Sequence, residues 1–509
     1  MPNDYHSLPG KATSLWLDTT TETNYPSLQS GLMVDVAIIG GGLAGLTAAT
    51  LLKAEGKTVA VLEASRIVHG VTGHTTAKVT SLHSLIYDHL IRHFGEEKAR
   101  AYADANQAAI EQIASLVREK QIDCDFTRTE AYTYTESDDE IDQIRAEVEA
   151  ALTLGLPATF VDATPLPFPV KAAVRFDDQA QFHPRKYLLA LAQQIPGEGS
   201  FIFERTRVVE LDEGEPCVVT TEQGTIAAHA VIIASHFPFN DKLLYASRLL
   251  PHRSYLLAVR VAQPAPRGMF ISTEPSHTMR THPADGGDLL LVGGEGHKAG
   301  EGGDTVARYQ RIEQWARERF AVQSVEYRWS TQDNKTLDRV PYIGRATPMS
   351  KHVYVATGFG GWGMTNSTAA GMLLCDLILG RDTPWADVYD PNRVNLSSVS
   401  PLIQHTADIA RHFVCDRMTV ETPDSITPGE GGIVHAEHDM AMYKAEDGAV
   451  STLSPRCTHM GCFVQWNPAE QSWDCPCHGS RFATDGRVIH GPAIKDLEEA
   501  EQRETKASQ

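Results

Sequence analysis

The stretch VDVAIIGGGLAGLTAATLLKAEG, residues 34–56, decides how this chain is read. Residues 34–39 form a short apolar run rich in β-branched side chains, which predicts a buried strand. Gly40, Gly42 and Gly45 follow in G-x-G-x-x-G spacing. In such a turn the first glycine permits the tight bend, the second lets the backbone approach a pyrophosphate, and the third lets helix and strand pack closely. Leu46, Ala49 and Leu52 then recur at helical spacing, giving a helix whose N-terminus offers free N–H groups and partial positive charge to a phosphate. A second strand, TVAVLE at 58–63, ends on Glu63, 18 residues after Gly45 and placed to accept hydrogen bonds from an adenosine ribose. The glycine spacing alone also occurs in unrelated tight turns. The ordered series of strand, glycines, helix, strand and acid points to a dinucleotide site.

Outward from this unit, AVIIAS at 230–235 predicts a strand returning to the same sheet. Residues 84–120 carry Leu85, Ile86, Leu90, Ala109, Ile110, Ile113 and Leu116 at helical spacing, and AYTYTE at 131–136 and YLLAVRVA at 255–262 predict strands of a second, mixed sheet. The glycine-rich LLLVGGEGHKAGEGG at 289–303 is not expected to lead into a clean helix, so it does not repeat the first unit. A pyridine-nucleotide site is therefore not expected. A Pro- and Ser-containing stretch after residue 390 reads as linker, and 402–415 as a short docking helix.

The chain has 509 residues, enough for two or three domains, and 42% apolar content is ordinary for a globular protein. Its formal charge of −20 disfavours nucleic acid and anionic membrane as partners. No run is long and apolar enough for a membrane helix, and the first residues do not read as a signal peptide, so a cytoplasmic location is expected. Four of the eight cysteines, Cys124, Cys217, Cys375 and Cys415, are scattered and read as small buried residues.

The other four lie between residues 457 and 477, in CTHMGC and CPCHG. Cys457 and His459 form one pair, Cys475 and His478 another, with fifteen residues, 460 to 474, between them. Two thiolates and two imidazoles fit a Rieske [2Fe–2S] cluster, in which two Cys hold one iron and two His the other. Zinc accepts the same four ligands. Zinc fingers, however, usually keep like ligands together, whereas here each arm carries one Cys and one His.

Residues 421–500 resemble the Rieske proteins of the cytochrome bc complexes. That resemblance implies a disulfide between Cys462 and Cys477, the alternative in a reducing compartment being two free thiols. It also places Ser480 as a donor to a cluster sulfur, whereas Phe482 stands where the family has a donating Tyr. One lost hydrogen bond implies a potential below the respiratory type. Residues 30–390 resemble the D-amino-acid oxidase and sarcosine oxidase superfamily of flavoproteins. The resemblance rests on EASRIVHGVTGHTTAKVTSLHS after residue 62, on DDQAQFHPRKYLLALA at 177–192 with a helix opening at His183-Pro184, on DRVPYIGRA at 338–346, and on HVYVATGFGGWGMTNSTAAGMLLCDLILG at 352–380. It implies FAD as cofactor, with Gly358, Gly360, Gly361 and Gly363 leading into a helix aimed at the flavin, and with His74, Lys78 and Val208 as further cofactor contacts. His74 is also a conceivable covalent anchor.

The expected fold is an α/β FAD-binding Rossmann-like domain of the D-amino-acid oxidase and glutathione reductase type, a mixed-sheet α+β substrate domain and a C-terminal all-β Rieske domain. The expected divisions are an extension at 1–29, the flavoprotein at 30–390, linker and docking helix at 391–420 and the Rieske domain at 421–509. Within the flavoprotein, flavin-binding segments are expected at about 30–83, 175–250 and 330–385, with substrate segments at 84–174 and 251–329. A flavin beside a one-electron cluster implies two-electron to one-electron conversion. The expected activity is oxidation of an amine or amino-acid C–N bond, with electrons leaving singly to a ferredoxin, cytochrome or quinone system. The alternatives are a reductase running the other way and a redox shuttle or sensor without catalysis. An Arg fork suits a carboxylate, so Arg280 is the first candidate for substrate binding, followed by Arg253 and Tyr255.

Overall fold

The computed structural model describes residues 8–239, 245–415, 421–435 and 438–500. Its nucleotide sheet has eight strands. Five of them run parallel and side by side: Val353–Thr357, Thr225–Ile233, Leu32–Ile39, Val59–Leu62 and Phe201–Phe203. Such strands are covered on both faces, which is why they read as continuous apolar runs and not as alternation. All four residues of Val59–Leu62 are buried. Helices Leu43–Ala54 and Gly363–Ile378 pack together over one face. A Cβ on Gly371 would lie 2.7 Å from Thr47 Cγ2, so a glycine there lets the two helices approach.

The second sheet has ten strands and is mixed. Lys11–Ala12 runs parallel to Val322–Thr336, and Met269–Ser272 parallel to Thr127–Thr135, while the long central pair Leu249–Val261 and Leu289–Lys298 is antiparallel. Two segments differ from the sequence expectation. Strand Ala172–Gln181 pairs with Thr127–Thr135, and Val322–Thr336 with Leu249–Val261, so both belong to the large sheet. The predicted helical stretch is two helices, Tyr87–Phe94 and Glu96–Glu119, broken at Gly95, whose φ of 82° ends the first. Residues 8–29 are no loose extension: Trp16, on the Leu15–Asp18 turn of helix, is fully buried.

The glycine-rich run at 289–303 is also corrected. A helix does follow it, Thr305–Arg319, with Asp304 accepting from the Ala307 amide as its cap. The run nevertheless does not make a nucleotide turn, because its strand is antiparallel to both neighbours and most of the glycines lie within or just beyond it.

The C-terminal region holds two antiparallel sheets of three and four strands, Gly431–His435 to Val450–Leu453 and Gln465–Asn467 to Val488–His490. Helix Val399–Cys415 precedes it, and residues 416–420 of the expected linker lie outside the described residues. The region docks tightly on the rest. Arg253 pairs with Glu470 at 3.1 Å, Tyr309 donates to Glu470, Thr305 to Asn467 Oδ1, and Gln332 to the Gly479 carbonyl. A Cβ on Gly479 would lie 2.6 Å from the Pro251 ring, and one on Gly300 2.5 Å from the Pro476 backbone, so glycines on each side let the two surfaces meet closely. Among the described residues no helix is long and apolar enough to cross a membrane.

Candidate flavin and iron–sulfur sites

In an open parallel sheet, ligands bind beyond the carboxyl ends of the strands. Here those ends deliver Gly40, Glu63, Ala234 and Gly358 to the wall of one cavity of about 1760 Å³. That exceeds the roughly 300–1,000 Å³ of a pocket for a drug-sized ligand and leaves room for a dinucleotide and a small substrate. Gly40 has φ 115°, and a Cβ there would lie 2.4 Å from the Ala234 carbonyl oxygen. A Cβ on Gly45 would lie 2.0 Å from the Gly40 oxygen, so turn and helix touch. Gly42 caps helix Leu43–Ala54 with no side chain of its own and opens onto the cavity.

The Glu63 carboxylate accepts from the amides of Gly41 and Ser65, both at 2.9 Å. Burial raises its pKa above the ordinary carboxylate value despite those bonds. Val208 lines the cavity near Glu63. From the other end come Gly358, Gly360 and Gly363; Gly358 and Gly360 have positive φ, and Gly363 opens helix Gly363–Ile378. That helix end has no side-chain cap, so its N–H groups and dipole remain available to the occupant. The chain thus fits FAD with a phosphate turn, an acid beside it and a second helix N-terminus.

The structure places the remaining candidates unequally. Lys78 lines the cavity and donates to the Phe270 carbonyl and to Thr278 Oγ1. Burial, with Arg280 nearby, holds its pKa well below that of a free lysine. Tyr255 also lines the cavity, its hydroxyl paired with His297 Nε2 at 2.9 Å. Arg280 does not line it. Its guanidinium is buried under Trp16 and donates to the Ala77 and Phe182 carbonyls, although Thr278, two residues away on the same strand face, lines the cavity. Arg253 is likewise turned away, to Glu470 and Ser330 at the domain junction. His74 lies outside the cavity wall, with Nδ1 donating to the Gly70 carbonyl. The sequence reading missed Asp333 and Lys335, which do line the cavity. Burial pushes the Asp333 carboxyl up to about 6 against the pull of Lys335 and the Gly361 amide.

At the C-terminal end the two loops share one backbone pattern. Gly461 N–H donates to the Cys457 carbonyl and Gly479 N–H to the Cys475 carbonyl, both at 2.9 Å and both glycines with positive φ. Cys462 and Cys477 form a disulfide that ties the loops together. Cys475 Sγ lies within 4.8 Å of both their sulfurs, but those are oxidised, so Cys457 and Cys475 are the thiols left to ligate. The Cys475 hydrogen bond pulls Cys457 down, helped by the His459 amide and Ser480, while the same bond and burial push Cys475 up. The rings of His459 and His478 stand 4.9 Å apart at 88°, and His478 Nδ1 is buried without a hydrogen-bond partner. Two buried, unoxidised cysteine sulfurs and a buried imidazole nitrogen without a partner suit a [2Fe–2S] cluster. Phe482 packs in the core of this domain, fully buried.

The two sites are adjacent. Phe237 lines the flavin cavity and meets the His459 ring edge to face, 6.5 Å between centroids.

Comparison with known proteins agrees with this architecture. Residues 35–377 match the family described as FAD dependent oxidoreductase, and residues 416–501 match the Rieske [2Fe-2S] domain. The iron-sulfur protein YhfW of Bacillus subtilis (strain 168), named for a Rieske 2Fe-2S centre, is 40% identical over 95% of this chain and 96% of its own length. The gamma-glutamylputrescine oxidoreductase of Escherichia coli (strain K12) is 24% identical over 70% of this chain and 86% of its own. Glycine oxidase from Geobacillus kaustophilus superposes with a TM-score of 0.58 at 20% identity, over 71% of this chain and 99% of that one, a likeness of fold. The chain belongs to the FAD dependent oxidoreductases and carries, C-terminal to that domain, a Rieske [2Fe-2S] domain.

Proposed function

We propose that the chain oxidises a small amine or amino acid at its C–N bond and delivers the electrons, through the Rieske cluster, to an external one-electron carrier. The observation that carries this reading is the placement of Phe237 between the flavin cavity and a cluster ligand, His459. When bound, FAD accepts a hydride and the [2Fe–2S] centre takes electrons singly. The chain's own residues do the rest. The wall formed by Lys78, Tyr255, Asp333 and Lys335 is polar on the side of the large sheet, where a small charged substrate is held. Lys78, depressed by burial, accepts a proton from an ammonium substrate, which must lose it before a C–N bond can be oxidised. The carboxylate-binding role first assigned to Arg280 passes to Lys335, which opens onto the cavity. The amine reading draws support from relatives named for amine and amino-acid oxidation. A cytoplasmic setting is compatible with the disulfide, since Cys462 and Cys477 are both buried away from soluble thiols.

The test is anaerobic mixing of purified protein with a panel of amines and amino acids. Loss of flavin absorbance followed by cluster reduction supports this direction. No loss with any of them, together with flavin reduction by a reduced ferredoxin, supports the reverse flow.

A further inference from the structure

The flavin cavity is not built by the flavoprotein domain alone. Residues 487–494 of the Rieske domain also line it, on the edge strand Val488–His490 and the loop after it. The ring of His490 lies 5.2 Å from that of His236 of the flavoprotein domain. His236 occupies a central position in the cofactor site. It lies two residues beyond Ala234, whose carbonyl abuts Gly40 of the phosphate turn, and its own carbonyl accepts from Thr357, which precedes the flavin-side glycine Gly358. His236 has φ 65°, a conformation that holds the ring at this spot. Nε2 of His236 and Nε2 of His490 are both buried without a hydrogen-bond partner. Burial keeps the His236 imidazole at about 4 and His490 well below its ordinary value, so both are neutral near pH 7. Both residues line the cavity and are only partly buried, so this wall of the dinucleotide site is built from both domains.

We propose that the Val488–Pro492 segment of the Rieske domain is part of the FAD site, with His490 against the bound cofactor, so that cofactor binding and Rieske docking reinforce each other. This rests on the assignment of the cavity to FAD. Linkage is reciprocal: what the docked domain adds to FAD affinity, bound FAD adds to docking. The interface residues that lie outside the cavity, Glu470 with Arg253 and Asn467 with Thr305, hold the segment in place. The Rieske domain is then a structural component of the flavin site as well as its electron acceptor.

The experiment measures FAD affinity of the full-length His490→Ala variant after removal and readdition of the cofactor, with the Rieske electron paramagnetic resonance signal reporting that the cluster is intact. The expected result is an FAD dissociation constant raised about tenfold, the size of losing the ring's packed surface against the ligand. His236→Asn, chosen because Asn tolerates positive φ, is expected to weaken FAD similarly. A measurement on the unmodified chain covers the case of a variant that does not fold. Amide hydrogen exchange at residues 487–494 is expected to slow when FAD is added. An unchanged dissociation constant in His490→Ala with the cluster intact, or unchanged exchange at 487–494 on FAD loading, overturns the proposal. A wild-type chain that binds no flavin at all overturns the cavity assignment instead.

Discussion

Phe237 lines the flavin cavity, and its ring stands 6.5 Å, centroid to centroid, and at 71° from the imidazole of His459. The ring bridges an organic redox site and an iron ligand within one docked surface, so transfer between them needs no diffusive encounter. Replacing it tests this directly. Phe237→Leu retains most of the buried volume but removes the aromatic edge. Substrate-driven flavin bleaching is expected to keep its rate, while subsequent cluster reduction slows about tenfold, equivalent to about 1.4 kcal/mol in the barrier. Stopped-flow absorbance under anaerobic conditions separates the two phases.

Phe482 fills a core position where the Rieske proteins of the cytochrome bc complexes carry a hydroxyl that donates to a cluster sulfur. Phe482→Tyr is expected to raise the cluster potential, since a hydrogen bond to sulfur favours the reduced, more negative centre. One such bond of about 1.4 kcal/mol corresponds to roughly 60 mV for a one-electron couple. Redox titration checks the shift, and a fall in potential would contradict it.

Which parts of this were readable in the sequence follows a physical rule. The glycines at 40, 42 and 45 and the Cys and His of the cluster loops act through local spacing, which the chain carries openly. Helix Thr305–Arg319 was legible too, in the Asp304 cap and in Val306, Tyr309, Ile312 and Ala316 at helical spacing, but the glycines before it obscured the signal. Arg280 and Arg253 misled for a different reason. Arg253 alternates with His252 and Ser254, which line the cavity, so it takes the other face of its strand, a choice fixed only by the register of its neighbours; Arg280 shares a face with cavity-lining Thr278 but is held by the distant Ala77 and Phe182 carbonyls. Lys335 and the 487–494 wall left no trace, because the first depends on where a long strand ends and the second on two domains meeting.

Acid should loosen the junction. Burial alone would raise the Asp474 carboxyl, but Arg481 and Arg253 outweigh it and hold it at about 2, below the roughly 3.9 of an unfolded Asp. A depressed folded value means the stabilisation is complete above about pH 4 and is lost as pH falls toward about 2, a change of roughly 2 kcal/mol. Urea unfolding monitored between these values is expected to show that loss. Glu470→Gln removes the carboxylate 3.1 Å from buried Arg253 and leaves it only the Asp474 charge, and is expected to cost about 2 kcal/mol at neutral pH; an unchanged thermal midpoint would contradict the clamp.

Lys78 lies in the cavity with its pKa pulled down by burial. Lys78→Met is expected to lower the rate of flavin reduction by an amine about 10²-fold at neutral pH, and to recover part of it at high pH, where the substrate is already deprotonated. A uniform loss at every pH would indicate a packing role instead.

The central claim is that electrons pass between the two centres inside one chain. The most direct measurement is anaerobic, single-turnover reduction of the full-length protein by substrate, quantified by flavin absorbance and by electron paramagnetic resonance of the same sample. Iron and sulfide are expected in the protein, with a reduced Rieske signal that grows in after the flavin bleaches, at a rate independent of protein concentration. A cluster that stays oxidised beside reduced flavin, or that is reduced only in proportion to protein concentration, would contradict it.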